Sequence, residues 1–141
     1  MQIVYNLPHV FYPGSTRIDN ARTLRAMLGM LIRINMDYIQ SMKKRGHTVP
    51  LLYESGVVYA RTIWWEPIPA LYERGWGDCK SLTCAKVAED RLAGINAGAV
   101  FRFNPLEMST DYHILEQTPD GYHDPSKVLG MGKDENAWFH I

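Results

Sequence analysis

The segment Gly75-Trp76-Gly77-Asp78-Cys79-Lys80-Ser81-Leu82-Thr83 decides how this chain is read, because it places a cysteine where a loop turns into a helix. Beyond it, Leu82, Ala85, Val87, Ala88 and Leu92 supply one apolar face and Gly94 stands where a helix C-terminus favours glycine, so a helix is expected over 79–92. Cys79 then falls in the first turn, where unpaired backbone N–H groups and the positive end of the helix dipole favour a thiolate. Gly77 permits a tight approach and Asp78 can cap the helix. A carboxylate beside a thiol opposes its ionisation unless its charge is spent on that cap or on a salt bridge, so the Asp78 side chain is expected to point away from the sulfur.

A thiolate that attacks a carbonyl also needs a base, a group that orients the base, and donors for the developing oxyanion. The Cys79 amide is a natural donor. Past Ala97 the apolar period changes to two: Ala99-Val100-Phe101-Arg102-Phe103 and Tyr112-His113-Ile114-Leu115-Glu116-Gln117 read as strands, and Thr118-Pro119-Asp120-Gly121-Tyr122 as a turn into a third. Of the five histidines, His113 is the one fixed in such a strand, on one face with Leu115 and Gln117, whereas His9, His47 and His140 fall in loops or the tail. The turn brings the following strand back beside His113, which selects Asp124 as the orienting acid over Asp120, a turn residue. His123 points opposite to Asp124 and reads as exposed, with the third catalytic place as its alternative.

Upstream, Leu24, Met27, Leu28, Leu31, Ile34, Tyr38 and Met42 recur at steps of three or four. They predict a long N-terminal helix, started by Thr16 or Asp19 and stopped by Lys43-Lys44-Arg45-Gly46. Its arginines and lysines read as a solvated face. Gln2 to Leu7 reads as a short strand, Pro8 to Ser15 as a loop, Val57 to Ala60 as extended, and Glu66 to Tyr72 as a loop entering a helical turn. The order of helix, irregular segment, helix and antiparallel meander predicts one α+β domain over the 141 residues.

The formal charge of zero gives no general electrostatic reason to expect a nucleic acid or an acidic membrane as partner. No apolar run approaches the ~18 residues of a membrane span, and the N-terminus lacks signal-peptide character, so a soluble protein, cytoplasmic or virion-associated, is expected. Cys79 and Cys84, five apart on one helix, are too far apart for an unstrained disulfide and read as free, Cys84 as a small buried apolar side chain. Cys79, Cys84, His113 and Asp124 lack the short paired spacing of a zinc module, so neither metal nor cofactor is expected.

The ordered set Arg74-Gly75-Trp76-Gly77-Asp78-Cys79, an amphipathic helix, Leu92-Ala93-Gly94-Ile95-Asn96-Ala97 leading into a strand, Tyr112-His113-Ile114-Leu115 and Asp120-Gly121-Tyr122-His123-Asp124-Pro125-Ser126 resembles the core of the transglutaminase-like superfamily over about residues 64–127. The resemblance implies a papain-like fold, with the nucleophile helix packed on a small antiparallel sheet and the long N-terminal helix added to it. It implies Cys79 as nucleophile, His113 as base and Asp124 as acid. Members often place an aromatic or amide residue ahead of the cysteine to complete the oxyanion hole; here Trp64, Trp65 and Tyr72 are the candidates, Trp65 first, and the two tryptophans read equally as a groove lining or as core. The expected chemistry is acyl transfer on a peptide or protein substrate, to water in a peptidase or amidase, or to an amine in a transferase. These 141 residues depart from the large animal transglutaminases, with no flanking β domains and no acidic cluster suited to calcium within them, so calcium-controlled protein crosslinking is not expected. Alternatives are a catalytically inert phage or virion structural or binding module on the same fold, and a cell-wall peptide hydrolase with a Cys-His-His arrangement, which would not need Asp124.

Overall fold

The computed structural model describes residues 17–103 and 112–132; the expected strand at 2–7, the loop to Ser15, His9, and the tail from 133 with His140 lie outside them. Helix α1 spans Arg17–Lys44 and is followed by a 3-10 turn at Leu52–Glu54 and a two-residue strand, β1, at Val58–Tyr59. Next come α2 at Ile68–Arg74, β2 at Trp76–Gly77 and α3 at Cys79–Leu92. The chain then forms β3 at Gly98–Phe103, β4 at Tyr112–Thr118, β5 at Gly121–His123 and a short α4 at Pro125–Val128. The architecture is mixed α+β, with a long N-terminal helix and a small antiparallel sheet in the order β3-β4-β5.

α3 is the centre of the molecule. Ser81 to Ala85, Val87 and Ala88 are all buried, so this helix is covered on most of its circumference rather than on one stripe. Cys84, Val87 and Ala88 form one core with Leu24, Leu28, Leu31 and Ile32 of α1 and Ile114 of β4. Leu82 and Ala85 join a second core with Leu52, Val57, Ile68 and Leu71. The expected α3 boundaries are those observed, and its stop is reinforced by Gly94 in the left-handed region at φ 87°.

The inward face of α1 is rotated slightly from the sequence expectation: Ile32 and Asn35 are buried, while Ile34 is only partly so. Asn35 faces inward because its Oδ1 accepts the Ile68 N–H at 2.8 Å, answering one of the unpaired amides at the start of α2. A polar residue in an apolar stripe reads as solvent-facing in sequence; here it joins two helices. Among the described residues no helix is long and apolar enough to cross a membrane.

An unexpected strand pairing, a helix-ending glycine and the close approach expected at Gly77 fix the entry to α3. β1 pairs in parallel with β2, Val58 against Trp76 and Tyr59 against Gly77, and the Ala60 N–H donates to the Gly77 carbonyl at 2.9 Å. α2 stops at Gly75, whose φ of 84° suits glycine, and sends the chain directly into β2. At Gly77 a Cβ would come within 2.6 Å of Leu71 Cδ1, so only glycine lets this strand lie on α2 without a shift.

Candidate active site

Cys79 is the first residue of α3, delivered there by the β1–β2 pairing two residues earlier. One turn further on, Thr83 Oγ1 donates to the Ile114 carbonyl at 3.2 Å and ties α3 to β4. The Ile114 backbone also hydrogen-bonds to the Cys79 thiol, which sets the sulfur against the residue that follows His113.

His113 and Asp124 meet through the hairpin. Glu116 lies opposite His123 and Thr118 opposite Gly121, so β5 runs back along β4 and ends just before Asp124. Asp124 sits at the N-cap of α4 rather than within a strand, with Pro125 in the first helical turn. Its Oδ1 accepts the Lys127 N–H at 3.2 Å, and its Oδ2 lies 2.7 Å from His113 Nε2. Both carboxylate oxygens are thereby fixed, and the imidazole is oriented by a group that is itself anchored. With Asp124 accepting at Nε2, the imidazole tautomer protonated there leaves Nδ1 as the nitrogen that can take a proton. The side chains of His113 and Asp124 are 31% and 17% exposed, so the pair borders solvent without being open to it.

The thiol differs from the sequence expectation. Its pKa is pushed up to about 11, first by burial and then by the Asp78 carboxylate, against the opposing hydrogen bond from Ile114 and the Lys80 ammonium; Asp124 adds to the rise. Helix-start placement does not outweigh burial here, and the resting sulfur at neutral pH is a thiol. Of the two uses expected for the Asp78 charge, the salt bridge is the one formed. Asp78 occupies the N-cap position but makes no side-chain cap hydrogen bond. Its Oδ2 binds Lys80 Nζ instead, and its charge still reaches the sulfur. Burial raises the Asp78 pKa, with the Lys80 ammonium acting against the rise.

The segment before α2 is latched to the start of α3. Lys80 Nζ donates to the Thr62 carbonyl at 2.9 Å, Ser81 Oγ donates to the Trp64 carbonyl at 3.3 Å, and the Glu66 N–H donates back to Ser81 Oγ at 3.0 Å. Trp65 packs with Cys79 against the first core, its ring centroid 5.9 Å from Lys80 Nζ. Trp64 is 49% exposed and Ile63 76% exposed on the same segment. Tyr72 does not belong to this site. Its hydroxyl donates to the Pro50 carbonyl at 2.9 Å and it packs against the second core. Glu89, the strongest charge acting on that phenol, stands ten residues along α3 from Cys79, about 15 Å by helix rise. His123 is exposed and pairs with Thr118 Oγ1 at 3.0 Å, away from the His113 ring's partner.

Tyr59 is the residue that sequence reasoning missed. Its N–H donates to the Leu129 carbonyl at 2.9 Å while it pairs with Gly77, so it is held between the end of α4 and the approach to Cys79. Burial pushes its phenol up to about 12, and the charges acting on it are, largest first, Cys79 once ionised, Asp78, Arg61 and Asp124. Among the described residues no group of three His, Cys, Asp or Glu side chains is placed to hold a metal ion. Comparison with family models, with curated proteins and with solved structures finds no match. The arrangement therefore stands on its own chemistry: an anchored acid–imidazole pair, and a half-buried thiol beside the same strand.

Proposed function

We propose that this chain is a small transglutaminase-like cysteine enzyme with a papain-like core, in which Cys79, His113 and Asp124 perform acyl transfer on a peptide or amide bond. The observation that carries this reading is the 2.7 Å contact of Asp124 Oδ2 with His113 Nε2, made on the strand whose next residue, Ile114, hydrogen-bonds to the Cys79 sulfur. The chain order also supports it: nucleophile at a helix start, imidazole on a strand, carboxylate after the next strand.

Because the thiol is neutral at rest, His113 acts as a general base. Its Nδ1 takes the Cys79 proton as the sulfur bonds to the substrate carbonyl carbon, and Asp124 supports the imidazolium that forms. The Cys79 N–H, in the first turn of α3, is the backbone donor for the oxyanion. The imidazolium then gives its proton to the leaving amine as the C–N bond breaks. Water, deprotonated in turn by His113, releases the acyl group and restores the thiol. For a domain this compact, hydrolysis is the favoured outcome over amine transfer.

The test is turnover of a mixed-sequence peptide library followed by mass spectrometry, with and without a primary amine. Cleaved peptides that vanish in Cys79→Ala but persist in Cys84→Ala support a peptidase, and amine-tagged products support transfer. Cleavage that survives Cys79→Ala overturns the reading. One observation favours a second reading, a silent binding module on the same fold: burial and Asp78 both hold the thiol protonated. That reading predicts no turnover and unchanged peptide binding in Cys79→Ala.

A further inference from the structure

We propose that Lys80 is a positioning residue of this site: its ammonium binds the Asp78 carboxylate and the Thr62 carbonyl together, answering the charge beside Cys79 and mooring the tryptophan segment to the start of α3. The inference rests on the reading of Cys79 as the nucleophile and adds what sets that thiol's ionisation.

The geometry is specific. Lys80 and Asp78 flank Cys79 in sequence, and their side chains are only 12% and 11% exposed, so solvent screens this pair weakly. The ammonium has two oxygen partners, one a side chain of its own helix start and the other a carbonyl 18 residues earlier. It also lies over the Trp65 ring, 5.9 Å from the centroid. A lysine on a first helical turn that served solubility would extend into water. This one turns inward and joins three elements of the site.

The charges acting on the sulfur are Asp78 and Lys80 at the start of α3 and Asp124 ahead of α4. Cys79 acts in turn on Tyr59 of β1, which Arg61 also affects, and on Cys84 of its own helix, and His113, bound to Asp124, stands one residue before Ile114 on β4. Asp78 is the strongest charge opposing ionisation of Cys79, and Lys80 is the positive charge that favours it. Removing Lys80 takes away the positive charge that opposes the first; removing both cancels the effect.

The experiment is the rate of iodoacetamide alkylation of Cys79 at pH 8, followed on the Cys79 peptide by mass spectrometry so that Cys84 does not contribute. Lys80→Met should slow it about tenfold, the effect of one neighbouring charge on a thiol pKa, and Asp78→Asn should speed it about tenfold. The double variant Asp78→Asn/Lys80→Met should return to the wild-type rate or above. Should Lys80→Met fail to fold, Lys80→Gln keeps a hydrogen-bond donor without the charge and is read in the same way. An unchanged rate in the Lys80 variant, or slowing that persists in the double variant, overturns the proposal and leaves Lys80 a structural tether. Alkylation needs no substrate, so a chain that turns over no peptide still answers this question. Turnover that is indifferent to Lys80 overturns this inference alone.

Discussion

Asp124→Asn isolates the orienting contact from everything else that Asp124 does. Asn is as good an N-cap as Asp, and its amide oxygen still accepts the Lys127 N–H, so α4 keeps its start and stability changes by less than about 1 kcal/mol. On the other side an NH2 group replaces the oxygen that lies 2.7 Å from His113 Nε2. A donor there requires Nε2 to accept, which moves the ring proton to Nδ1 and removes the lone pair that would take the Cys79 proton. The imidazolium also loses its carboxylate. Losing both effects in comparable triads lowers acylation by about 10²–10⁴-fold, or about 3–5 kcal/mol of barrier. The assay is the pre-steady-state release of 4-nitrophenol from 4-nitrophenyl acetate, which reads acylation alone, paired with a urea titration. Acylation within threefold of wild type in a folded Asp124→Asn protein would refute the orienting role and favour an arrangement that does not use Asp124.

Other consequences are equally direct. Gly77→Ala sets a methyl 2.6 Å from Leu71 Cδ1, so the fully buried Leu71 must shift; a loss of about 1–3 kcal/mol is expected in a urea titration, together with slower Cys79 acylation because the entry to α3 moves with it. Tyr59→Phe keeps the ring and removes the hydroxyl held near Cys79 and Asp124; stability should change by less than about 1 kcal/mol while acylation falls about tenfold or more if the hydroxyl serves the oxyanion, and an unchanged rate assigns Tyr59 to packing. Glu116, 1% exposed, has its carboxyl pKa raised to about 7 by burial, then by its hydrogen bond to Asp90 and the Asp90 and Glu89 charges, against Lys86. A folded-state value above the unfolded one adds stability that is complete below about pH 4.5 and lost as the pH rises through about 7, a fall of about 2–3 kcal/mol between pH 5 and 8 from this group. Glu116→Gln should flatten that fall in urea titrations, and an unaltered pH dependence would contradict it.

Much of this arrangement was legible in the sequence because long elements carry periodicity. The stripe from Leu24 to Met42 announced α1, Leu82 to Leu92 set the limits of α3, and the alternation around His113 with the Asp120-Gly121 turn gave the hairpin that brings Asp124 back. What stayed hidden lacks a period. β1 and β2 have two residues each, too few to show alternation, so their parallel pairing and the placement of Tyr59 beside Cys79 could not be read. Tyr72 reads as close to the nucleophile in sequence, yet α2 turns it toward Pro50 and the second core. The state of the thiol was hidden for another reason. Helix-start placement is a sequence property, whereas burial and the destination of the Asp78 charge depend on how residues 62–66 fold over the site.

In the proposed mechanism Cys79 becomes acylated with help from His113. Intact-mass and peptide mapping of the protein quenched seconds after mixing with 4-nitrophenyl acetate tests this step. The expected result is a single acetyl group on Cys79, none on Cys84, and formation at least about 10²-fold slower in His113→Ala. Acetylation absent from Cys79, or formed there at the same rate without His113, would contradict it.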